Sequence, residues 1–332
     1  MSTAVDRPPA GAGAEGVSAE RIRAIPARHP ARWIATIVVL FFVVVFALAV
    51  ATNKNFQWGV VGHYFTTYPI LHGILVTLEL TVLAMAIGIV LGIVLGVMRL
   101  SPVPIISGAA WVYVWFFRGT PVLVQIFFWF FVAALTGPHP AVGLPLSHVV
   151  FFHLSVNTLI TPFVAATLGL GLNEGAYMAE IVRAGILSVG EGQTEAAQAL
   201  GMSRLQTMRL IVLPQAMRVI VPPTGNETIS MLKTSSLASF IGVVELFEAG
   251  RNIYIHTFQT IPVLITVSLW YLLITSVLTA GQFYVERYYA RGALRTLPPT
   301  PLQRFRALFA RNIVRFHAEV APPAPAPRSE RR

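Results

Sequence analysis

Cysteine is absent from this chain of 332 residues. This excludes a disulfide framework, thiolate metal ligands and a thiol nucleophile. Lysine occurs only at Lys54 and Lys233, and neither lysine follows the glycine-rich turn of a phosphate-binding loop, so the chain is not expected to hydrolyse ATP. The His-Glu-x-x-His pattern of zinc proteases and the Gly-x-Ser-x-Gly turn of hydrolases are also missing from the sequence. We therefore predict no catalytic residues and no metal site.

Charged residues are scarce as well, at 11% of the chain, whereas 55% of the residues are hydrophobic. Soluble proteins carry about 25% charged residues, so the composition is typical of a helical membrane protein. The net charge of +10 could indicate nucleic-acid binding. Most of the basic residues, however, lie in the two tails and beside apolar runs, which favours a lipid bilayer as the partner and no nucleic acid.

Six apolar runs predict an all-α polytopic membrane protein with six transmembrane helices. The runs cover residues 33–52, 71–100, 121–135, 149–172 or 162–186, 219–247 and 262–285. The third run is short, and an interfacial helix over residues 105–117 is expected to precede it. For the fourth run apolarity alone favours the earlier range, and both ranges stay open. The first run is longer than a typical signal-peptide core, which favours an uncleaved helix over a signal peptide.

Arginines orient these helices, because positive charge collects on the cytoplasmic side of membrane proteins. They cluster before the first run and after the last one, so both termini are predicted to be cytoplasmic. Outer loops are predicted over residues 53–69, 137–147 and 245–260. Four regions follow from these predictions: a disordered basic tail (1–30), an extra N-terminal helix with an outer loop (31–70), the transmembrane domain (71–290) and a Pro/Ala/Arg-rich cytoplasmic tail (291–332).

Glycines recur every fourth residue in the second run, at Gly88, Gly92 and Gly96. One face of a helix therefore lacks side chains along three turns. Such small-xxx-small spacing predicts a close helix–helix contact in the membrane.

Polar residues inside the apolar runs are candidates for function, since a charge at the bilayer centre costs about 2.5–3.5 kcal/mol. The candidates are Glu79, Glu174, Asn226, Glu227 and Lys233. They could line a translocation pathway, or they could form structural pairs and reach towards an interface. Pro222, Pro223 and Gly225 are expected to break the fifth helix, and irregular backbone at membrane depth is tolerated where it lines a cavity, which favours the pathway.

Residues 192–214, which we call the polar segment, interrupt the apolar pattern on the predicted cytoplasmic side. Good helix formers over residues 195–200 predict a short helix that ends at Gly201 in the left-handed conformation. Ser203 and Gln206 have the spacing of a capping box, and the helix they begin is expected to end where Pro214 interrupts its hydrogen bonding. The residues alone leave open a docking element or a solvated loop.

Within the polar segment, Glu195-Ala196-Ala197, Gly201 and Ile211-x-Leu213-Pro214 match the Glu-Ala-Ala-x3-Gly-x9-Ile-x-Leu-Pro signature of a known family. The sequence resembles the bacterial ABC-importer permeases, which work with binding proteins, and within them the polar amino-acid subfamily. The resemblance extends over residues 73–288. Supporting motifs begin at Arg118, Ala176, Glu191 and Leu232.

The resemblance implies a function for the polar segment and a set of partners. Glu195, Ala196, Ala197, Gly201, Leu213 and Pro214 would couple the permease to a separate ATPase. The implied complex contains two ATPase subunits, a second permease subunit that is identical or different, and an extracytoplasmic amino-acid-binding protein. This chain would bind no cofactor, because ATP and magnesium are used by the ATPase. The resemblance also implies alternating access in the bacterial inner membrane, and it moves the fourth helix to residues 162–186.

Two departures from the family pattern limit what the resemblance implies. The family core is a five-helix type I importer domain, so the helix over residues 33–52 is an addition. The fifth helix reads Lys233-Thr234-Ser235-Ser236-Leu237, where the family commonly has Lys-Asp-Thr-Ser-Leu. Two other functions stay open from the residues: a secondary transporter with Glu174 or Glu227 as the proton carrier, and a membrane scaffold that transports nothing.

Overall fold

A computed structural model of the chain describes residues 30–136, 141–143, 150–153 and 156–289. The predicted tails, residues 1–30 except Pro30 and residues 291–332, lie outside the described residues. So does most of the predicted outer loop over residues 137–147, of which only Ala141–Gly143 are described.

The described chain is helical apart from one antiparallel pair of short strands. The helices are α1 (Pro30–Thr52), α2 (Trp58–Phe65), α3 (Tyr68–Arg99), α4 (Pro104–Gly119), α5 (Val122–Phe130), α6 (Val132–Thr136), α7 (Val156–Leu159), α8 (Pro162–Leu187), α9 (Glu191–Ala199), α10 (Arg204–Thr207), α11 (Leu213–Thr234), α12 (Leu246–Thr257) and α13 (Thr260–Tyr289). Strands β1 (Ala141–Gly143) and β2 (Val150–His153) lie between α6 and α7. Short 3-10 segments cover Lys54–Phe56 and Ser235–Ile241, and Met208–Val212 form a π-helical turn.

The chain divides into two units after Lys54. The first unit contains α1, a 23-residue helix that agrees with the predicted first span. Pro30 begins it, and proline fits the first turn of a helix, where its missing N–H would have no partner. Apolar side chains cover the helix, and Phe41 and Phe46 are exposed.

In the second unit, α3 and α8 run parallel in close contact. An added Cβ at Gly88, Gly92 or Gly96 would meet the side chain of Glu174, Met178 or Val182, respectively. Both series advance by four residues, so one glycine face of α3 follows one face of α8 for three turns. The predicted small-xxx-small contact is thus confirmed, and its partner is the helix that carries Glu174.

The fourth helix follows the later of the two predicted ranges, since α8 covers Pro162–Leu187. Thr161 caps its first turn by accepting a hydrogen bond from the Val164 N–H, and Pro162 occupies the first helical position. This boundary brings Asn173, Glu174, Glu180 and Arg183 into the helix, as the family resemblance implied.

Helices α4 and α5 meet at an angle of 100°. Gln125 holds the bend, since its Nε2 donates to the Phe117 and Thr120 carbonyls at 3.0 and 3.1 Å. Asn173 Nδ2 on α8 donates to the Phe117 carbonyl at 2.9 Å as well. The carbonyls of Phe117 and Thr120 at the bend are therefore satisfied by side chains, which favours a sharp break in an apolar region.

The prediction of a broken fifth helix is wrong. Helix α11 passes through Pro222, Pro223 and Gly225 without interruption. Pro222 and Pro223 lack the N–H groups that would bond to the carbonyls of Arg218 and Val219, and membrane helices tolerate such a loss. Gln282 Nε2 on α13 separately donates to the Pro222 carbonyl at 3.2 Å. Helix α12 occupies most of the predicted outer loop over residues 245–260, and the side of the membrane on which this segment lies stays a prediction.

By length and apolarity, α1, α3 and α13 can each cross a membrane. Two bent combinations, α4 with α5 and the helical stretch from Arg204 to Ile241 with α12, raise the number of candidate spans among the described residues from three to five. Helix α8 is long enough to cross but carries three charged residues, Glu174, Glu180 and Arg183. The structure therefore supports a helical protein with three to five candidate membrane spans, and the count of six stays a prediction.

Candidate functional site

The first helix of the polar segment, α9, ends in the way its glycine predicts. Gly201 has φ of +77°. Its N–H donates to the Gln198 carbonyl at 2.9 Å, and the Met202 N–H donates to the Ala197 carbonyl at 3.1 Å. These two bonds form a Schellman motif, which closes the last turn of a helix and reverses the chain. The predicted left-handed stop is confirmed.

Ser203 then begins a second helix with the predicted capping box. The Gln206 N–H donates to Ser203 Oγ at 3.3 Å, and the Ser203 N–H donates to Gln206 Oε1 at 2.8 Å. Two of the free backbone donors at this helix start are therefore satisfied within four residues.

Pro214 does not end the second helix, which corrects that prediction. The backbone widens into the π-helical turn at Met208–Val212, and the Leu213 N–H bonds to the Met208 carbonyl. A proline in an α-helix clashes with the carbonyl four residues earlier, here that of Leu210. A π turn just before the proline gives that carbonyl more room. The helix therefore continues from Arg204 through α11 to Thr234.

The residues of the polar segment differ in exposure. Glu195 and Ala196 are exposed on α9, whereas Ala197 is buried at 4% exposure. Leu200, Leu205 and Leu210 expose 82%, 76% and 60% of their surfaces. Single exposed leucines are ordinary, but three of them within eleven residues are typical of a surface that binds a partner.

The polar segment continues into α11, which packs against α8. Gly185 on α8 lies against Ile220 on α11, and an added Cβ there would overlap the Ile220 side chain. Glu227 follows Leu205 by 22 residues on one continuous helix, which is roughly 30 Å. The polar segment and Glu227 thus lie on one continuous helical stretch.

Among the predicted pathway residues, Glu174 and Glu227 lie near each other. Glu174 is buried at 4% exposure against Gly88, and its Oε1 has no hydrogen-bond partner within the described residues. Glu227 on α11 is half-buried and close enough to interact electrostatically with Glu174. These two carboxyl groups, which we call the carboxylate region, lie on α8 and α11.

Asn226 points in another direction, towards α13. Its Oδ1 accepts a hydrogen bond from Gln282 Nε2 at 3.0 Å, and the same nitrogen donates to Glu286 Oε1 at 2.7 Å. Gly225 makes room for this contact, since an added Cβ would approach Gln282 Cγ to 2.9 Å. Asn226 therefore belongs to a polar junction between α11 and α13 rather than to the carboxylate region.

Lys233 and Glu79 are both exposed and lie apart from the two carboxylates. Lys233 follows Glu227 by six residues on α11, and Glu79 precedes Gly88 by nine residues on α3. These separations correspond to about 9 Å and about 13 Å along the helix axes. No cluster of three His, Asp or Glu side chains that could hold a metal occurs among the described residues.

The sequence interpretation missed Arg118, which lies at the α4–α5 bend. Its guanidinium lies over the Tyr177 ring of α8 at 5.1 Å from the ring centre, and it interacts electrostatically with Glu227. The sequence motif Arg118-Gly119-Thr120-Pro121 signalled the end of a helix. Only the bend and the contact with α8 bring this arginine to the depth of the carboxylates.

An ion-pair network lies nearer the C-terminal end of α8. Glu180 accepts hydrogen bonds from Arg183 at 2.7 and 2.9 Å and lies 3.5 Å from Arg99 of α3. These three residues connect α3 and α8 at the end of the molecule that is predicted to face the cytoplasm.

Comparison with known proteins identifies the architecture. The family model described as "Binding-protein-dependent transport system inner membrane component" matches residues 88–290. The chain is 43% identical over 288 residues to an arginine transport system permease protein of Corynebacterium glutamicum, covering 86% of this chain and 89% of the relative. It is 36% identical over 234 residues to a glutamine transport system permease protein of Escherichia coli, covering 70% and 97%.

Solved structures agree with this result. A chain from the crystal structure of an amino acid ABC transporter with histidines superposes with a TM-score of 0.56 at 33% identity. The superposition covers 66% of this chain and 94% of that one. A chain of an inward-facing methionine ABC transporter gives a TM-score of 0.54 at 19% identity, covering 68% and 98%, which supports the fold alone.

The matched region is more than half of the chain, and it contains both the carboxylate region and the polar segment. Its relatives are permeases, the membrane components of ABC transporters whose ATPase is a separate subunit. The chain therefore belongs to the family of binding-protein-dependent transport system inner membrane components, as a multi-pass permease of the bacterial inner membrane.

Proposed function

We propose that this chain is the permease of an ATP-driven importer of polar amino acids, and that the polar segment docks on the ATPase. The observation that carries the docking role is the surface of the polar segment. Glu195, Ala196 and three leucines are exposed on a short, doubly capped helix pair that continues into α11. Ala197 is buried in this helix pair, and Gly201 forms the left-handed turn between its two helices. Leu213 and Pro214 directly follow the π turn and begin α11.

We further propose that the side of the bundle carrying Arg118 and Glu227 lines the translocation pathway. Arg118 is exposed and Glu227 is half-buried in the isolated chain. Charged groups at membrane depth face water or a partner rather than lipid. The proposal includes the buried Glu174 next to this side, and it keeps the exposed Lys233, Asn226 and Glu79 as further candidates.

The partners follow from the family, and their number is our proposal. Two ATPase subunits and a second permease, identical or different, would complete the membrane complex, and an extracytoplasmic protein would deliver the substrate. Relatives carry names that specify arginine, glutamine and L-cystine transport. These solutes share an α-amino acid backbone. The proposed substrate class is therefore α-amino acids, without a particular side chain.

The proposed topology has six spans with both termini in the cytoplasm, and cysteine scanning tests it directly. The chain has no native cysteine, so Glu195→Cys and Arg251→Cys each introduce a single thiol at an exposed site. A membrane-impermeant maleimide should label Glu195→Cys only in inside-out vesicles and Arg251→Cys only in right-side-out vesicles. Labelling of both from the same side contradicts the topology.

Docking is tested by co-purification of the ATPase with the solubilised permease. Ala196→Arg places a bulky charge on the exposed surface without touching the buried Ala197, and it should remove the ATPase from the purified complex. Ala196→Ser is the matched control and should retain it. If Ala196→Arg keeps both the ATPase and ATP-dependent uptake, the polar segment is not the docking site. Uptake that persists without an ATPase and collapses with a protonophore contradicts the importer.

A further inference from the structure

An apolar groove runs between the helix pair α3 and α8 and the helix pair α11 and α13. Its volume is about 700 Å³, and all four helices contribute to its lining, together with Met208 of the π turn. Ile93, Val97 and Val285 line the groove and are exposed, so it opens to the surroundings of the isolated chain. In a membrane protein these surroundings are the bilayer or another subunit, so the groove has room for a ligand or a partner.

The groove lies on a different side of α8 from the proposed translocation pathway. Met178, Val182 and Ile186 of α8 line the groove, whereas Tyr177 contacts Arg118 on the pathway side. Each residue of an α-helix is rotated by about 100° from the one before it. The three groove residues therefore project about 100–180° away from Tyr177 around the axis of α8, and the two sides can bind different molecules.

The length of the groove matches one leaflet of a bilayer. Val97 and Ile89 on α3 lie two and ten residues before its last residue, Arg99, which is about 3 Å and about 15 Å along the axis. On α8, Ile186 and Met178 lie one and nine residues before its last residue, about 1.5 Å and about 14 Å. A hydrocarbon core is about 30 Å thick, so the acyl layer of one leaflet is about 15 Å. The groove therefore begins at one end of the bundle and has the length of an acyl chain.

The walls of the groove offer little to a polar solute. The hydroxyl groups of Thr224 and Thr228 lie along it, but they donate to the carbonyls of Ile220 and Thr224 at 2.8 and 2.9 Å. Most of the remaining lining consists of isoleucine, valine, leucine and methionine side chains. A polar amino acid would lose its hydration here without gaining hydrogen bonds, which is unfavourable. An acyl chain has no such loss.

A surplus of hydrogen-bond acceptors lies at the polar junction between α11 and α13, beside the groove. Gln282 Nε2 donates to Glu286 Oε1 at 2.7 Å, and it also lies 3.0 Å from Asn226 Oδ1 and 3.2 Å from the Pro222 carbonyl. An amide nitrogen carries two hydrogens, so three acceptors compete for two donors. Glu286 also supplies the one charge among the described residues that line the groove. The junction therefore favours a cation with several N–H donors.

Glu286 lies at a depth that suits a lipid headgroup. It precedes the last described residue of α13, Tyr289, by three residues, which is about 4.5 Å along the axis. It is half-buried, and Glu286 Oε2 accepts no hydrogen bond from the residues that the structure describes. A carboxylate oxygen thus remains available at the end of the groove where an acyl chain would join its headgroup.

We propose that this groove binds a phospholipid with a primary ammonium headgroup, as in phosphatidylethanolamine. The ammonium donates to Glu286, and one acyl chain lies along the apolar walls. An ammonium brings three N–H donors to a junction that lacks donors. A choline headgroup has no N–H to donate, and the headgroups of phosphatidylglycerol and cardiolipin bring a further negative charge to the carboxylate. The lipid would contact α11, which continues from the polar segment, and both helices of the glycine contact.

The test is lipid retention by the purified permease–ATPase complex. The complex is reconstituted in nanodiscs with equal amounts of phosphatidylethanolamine, phosphatidylcholine and phosphatidylglycerol, extracted in mild detergent, and its bound lipid is measured by mass spectrometry. Phosphatidylethanolamine should be retained about 10-fold over each of the other two lipids, because its ammonium makes a charge-assisted hydrogen bond. Glu286→Gln should abolish this preference. The exposed Glu191→Gln is the matched control and should keep it.

A second pair of variants tests the apolar part of the site. Ile93→Trp places a large side chain in the groove and should lower the total amount of retained lipid. Val94→Trp is the matched control, because Val94 is an exposed neighbour on α3 that does not line the groove. Size-exclusion profiles and the amount of bound ATPase confirm that each variant complex is assembled.

Four outcomes overturn the proposal. The wild-type complex could retain the three lipids in equal amounts, or Glu286→Gln could keep the preference for phosphatidylethanolamine. Ile93→Trp could retain as much lipid as Val94→Trp does. In the fourth outcome, Ile93→Cys, the single cysteine of its chain, forms a disulfide-linked permease dimer in native membranes, which would assign the groove to a second copy of the chain. Lipid retention is measured without transport, so a failure of the proposed import function is distinguishable from each of these results.

Discussion

Gly88 lies so close to the side chain of Glu174 that a Cβ atom added to the glycine would overlap Glu174 Cγ. The buried carboxylate of α8 is thus placed by the absence of a side chain on α3. Gly92 and Gly96 repeat the arrangement one and two turns further on, against Met178 and Val182. Helix packing and the position of a charged group at membrane depth are therefore set by the same stripe of glycines.

Gly88→Ala should destabilise the protein by about 1–3 kcal/mol, since it overpacks a contact that has no free space. Glu174→Ala removes the Cγ atom but keeps the Cβ atom, which would lie 2.7 Å from the added Cβ at position 88, so the double variant should recover only part of the loss, and the two effects should be non-additive. Thermal unfolding in detergent measures the four proteins of the cycle. Gly108→Ala is the control, because an added Cβ there meets nothing within 4 Å and alanine favours the helix. Additive losses would mean that the two residues do not share one contact.

The conformation of Gly201 predicts an ordered series of substitutions. Its surroundings are open, with nothing within 4 Å of an added Cβ, so the penalty comes from the positive φ alone. Gly201→Ala should cost about 1–2 kcal/mol at the end of α9, Gly201→Val should cost more, and Gly201→Asn should cost least. Transport per ATP hydrolysed in proteoliposomes should follow the same order. Equal activity of the valine and asparagine variants would rule out a role for the left-handed turn.

Local chemistry made several of these features predictable. The glycine spacing of α3, the left-handed stop at Gly201 and the capping box at Ser203 each depend on residues within one or two turns. The prolines show the limit of such reasoning. Pro214 and Pro222 predict the end of a helix or a break in it, but the helix continues through both, and the π turn that precedes Pro214 is not visible in the local sequence.

Long-range partners explain what the sequence did not reveal. Arg118 gains its significance from a 100° bend and from Tyr177, which is 59 residues away in the chain. Glu245 was placed at the start of an outer loop, whereas it is fully buried and bonded to residues of α3 and α13. Apolar patterns predict that helices exist, and they do not predict which polar residues meet when the helices pack.

Glu245 should be a strong contributor to stability. Its Oε1 accepts a hydrogen bond from the Glu248 N–H at 2.9 Å, and its Oε2 accepts from the Phe247 N–H at 2.8 Å and from Tyr271 OH at 3.0 Å. Glu245→Gln replaces one acceptor with an NH₂ group that faces a donor, so it should cost about 1–3 kcal/mol. Tyr271→Phe removes one bond and should cost about 1 kcal/mol. Thermal unfolding measures both, and the exposed Glu191→Gln should be neutral; a neutral Glu245→Gln would contradict this assignment.

The π turn before Pro214 should set the rotation of the polar segment relative to α11. Pro214→Ala restores an N–H that can bond to the Leu210 carbonyl, which allows the turn to return to α-helical hydrogen bonding. That change would rotate everything N-terminal to it by one residue, about 100°, and turn the docking surface away from its present direction. We expect the free energy of unfolding of the variant to lie within about 1 kcal/mol of the wild-type value, because the restored hydrogen bond offsets the lost rigidity of proline. Substrate transported per ATP hydrolysed should nevertheless fall, whereas the matched Pro223→Ala, far from the π turn in the same helix, should leave this ratio unchanged. An unaltered ratio in Pro214→Ala would mean that the π turn does not set the direction in which the ATPase acts on α11.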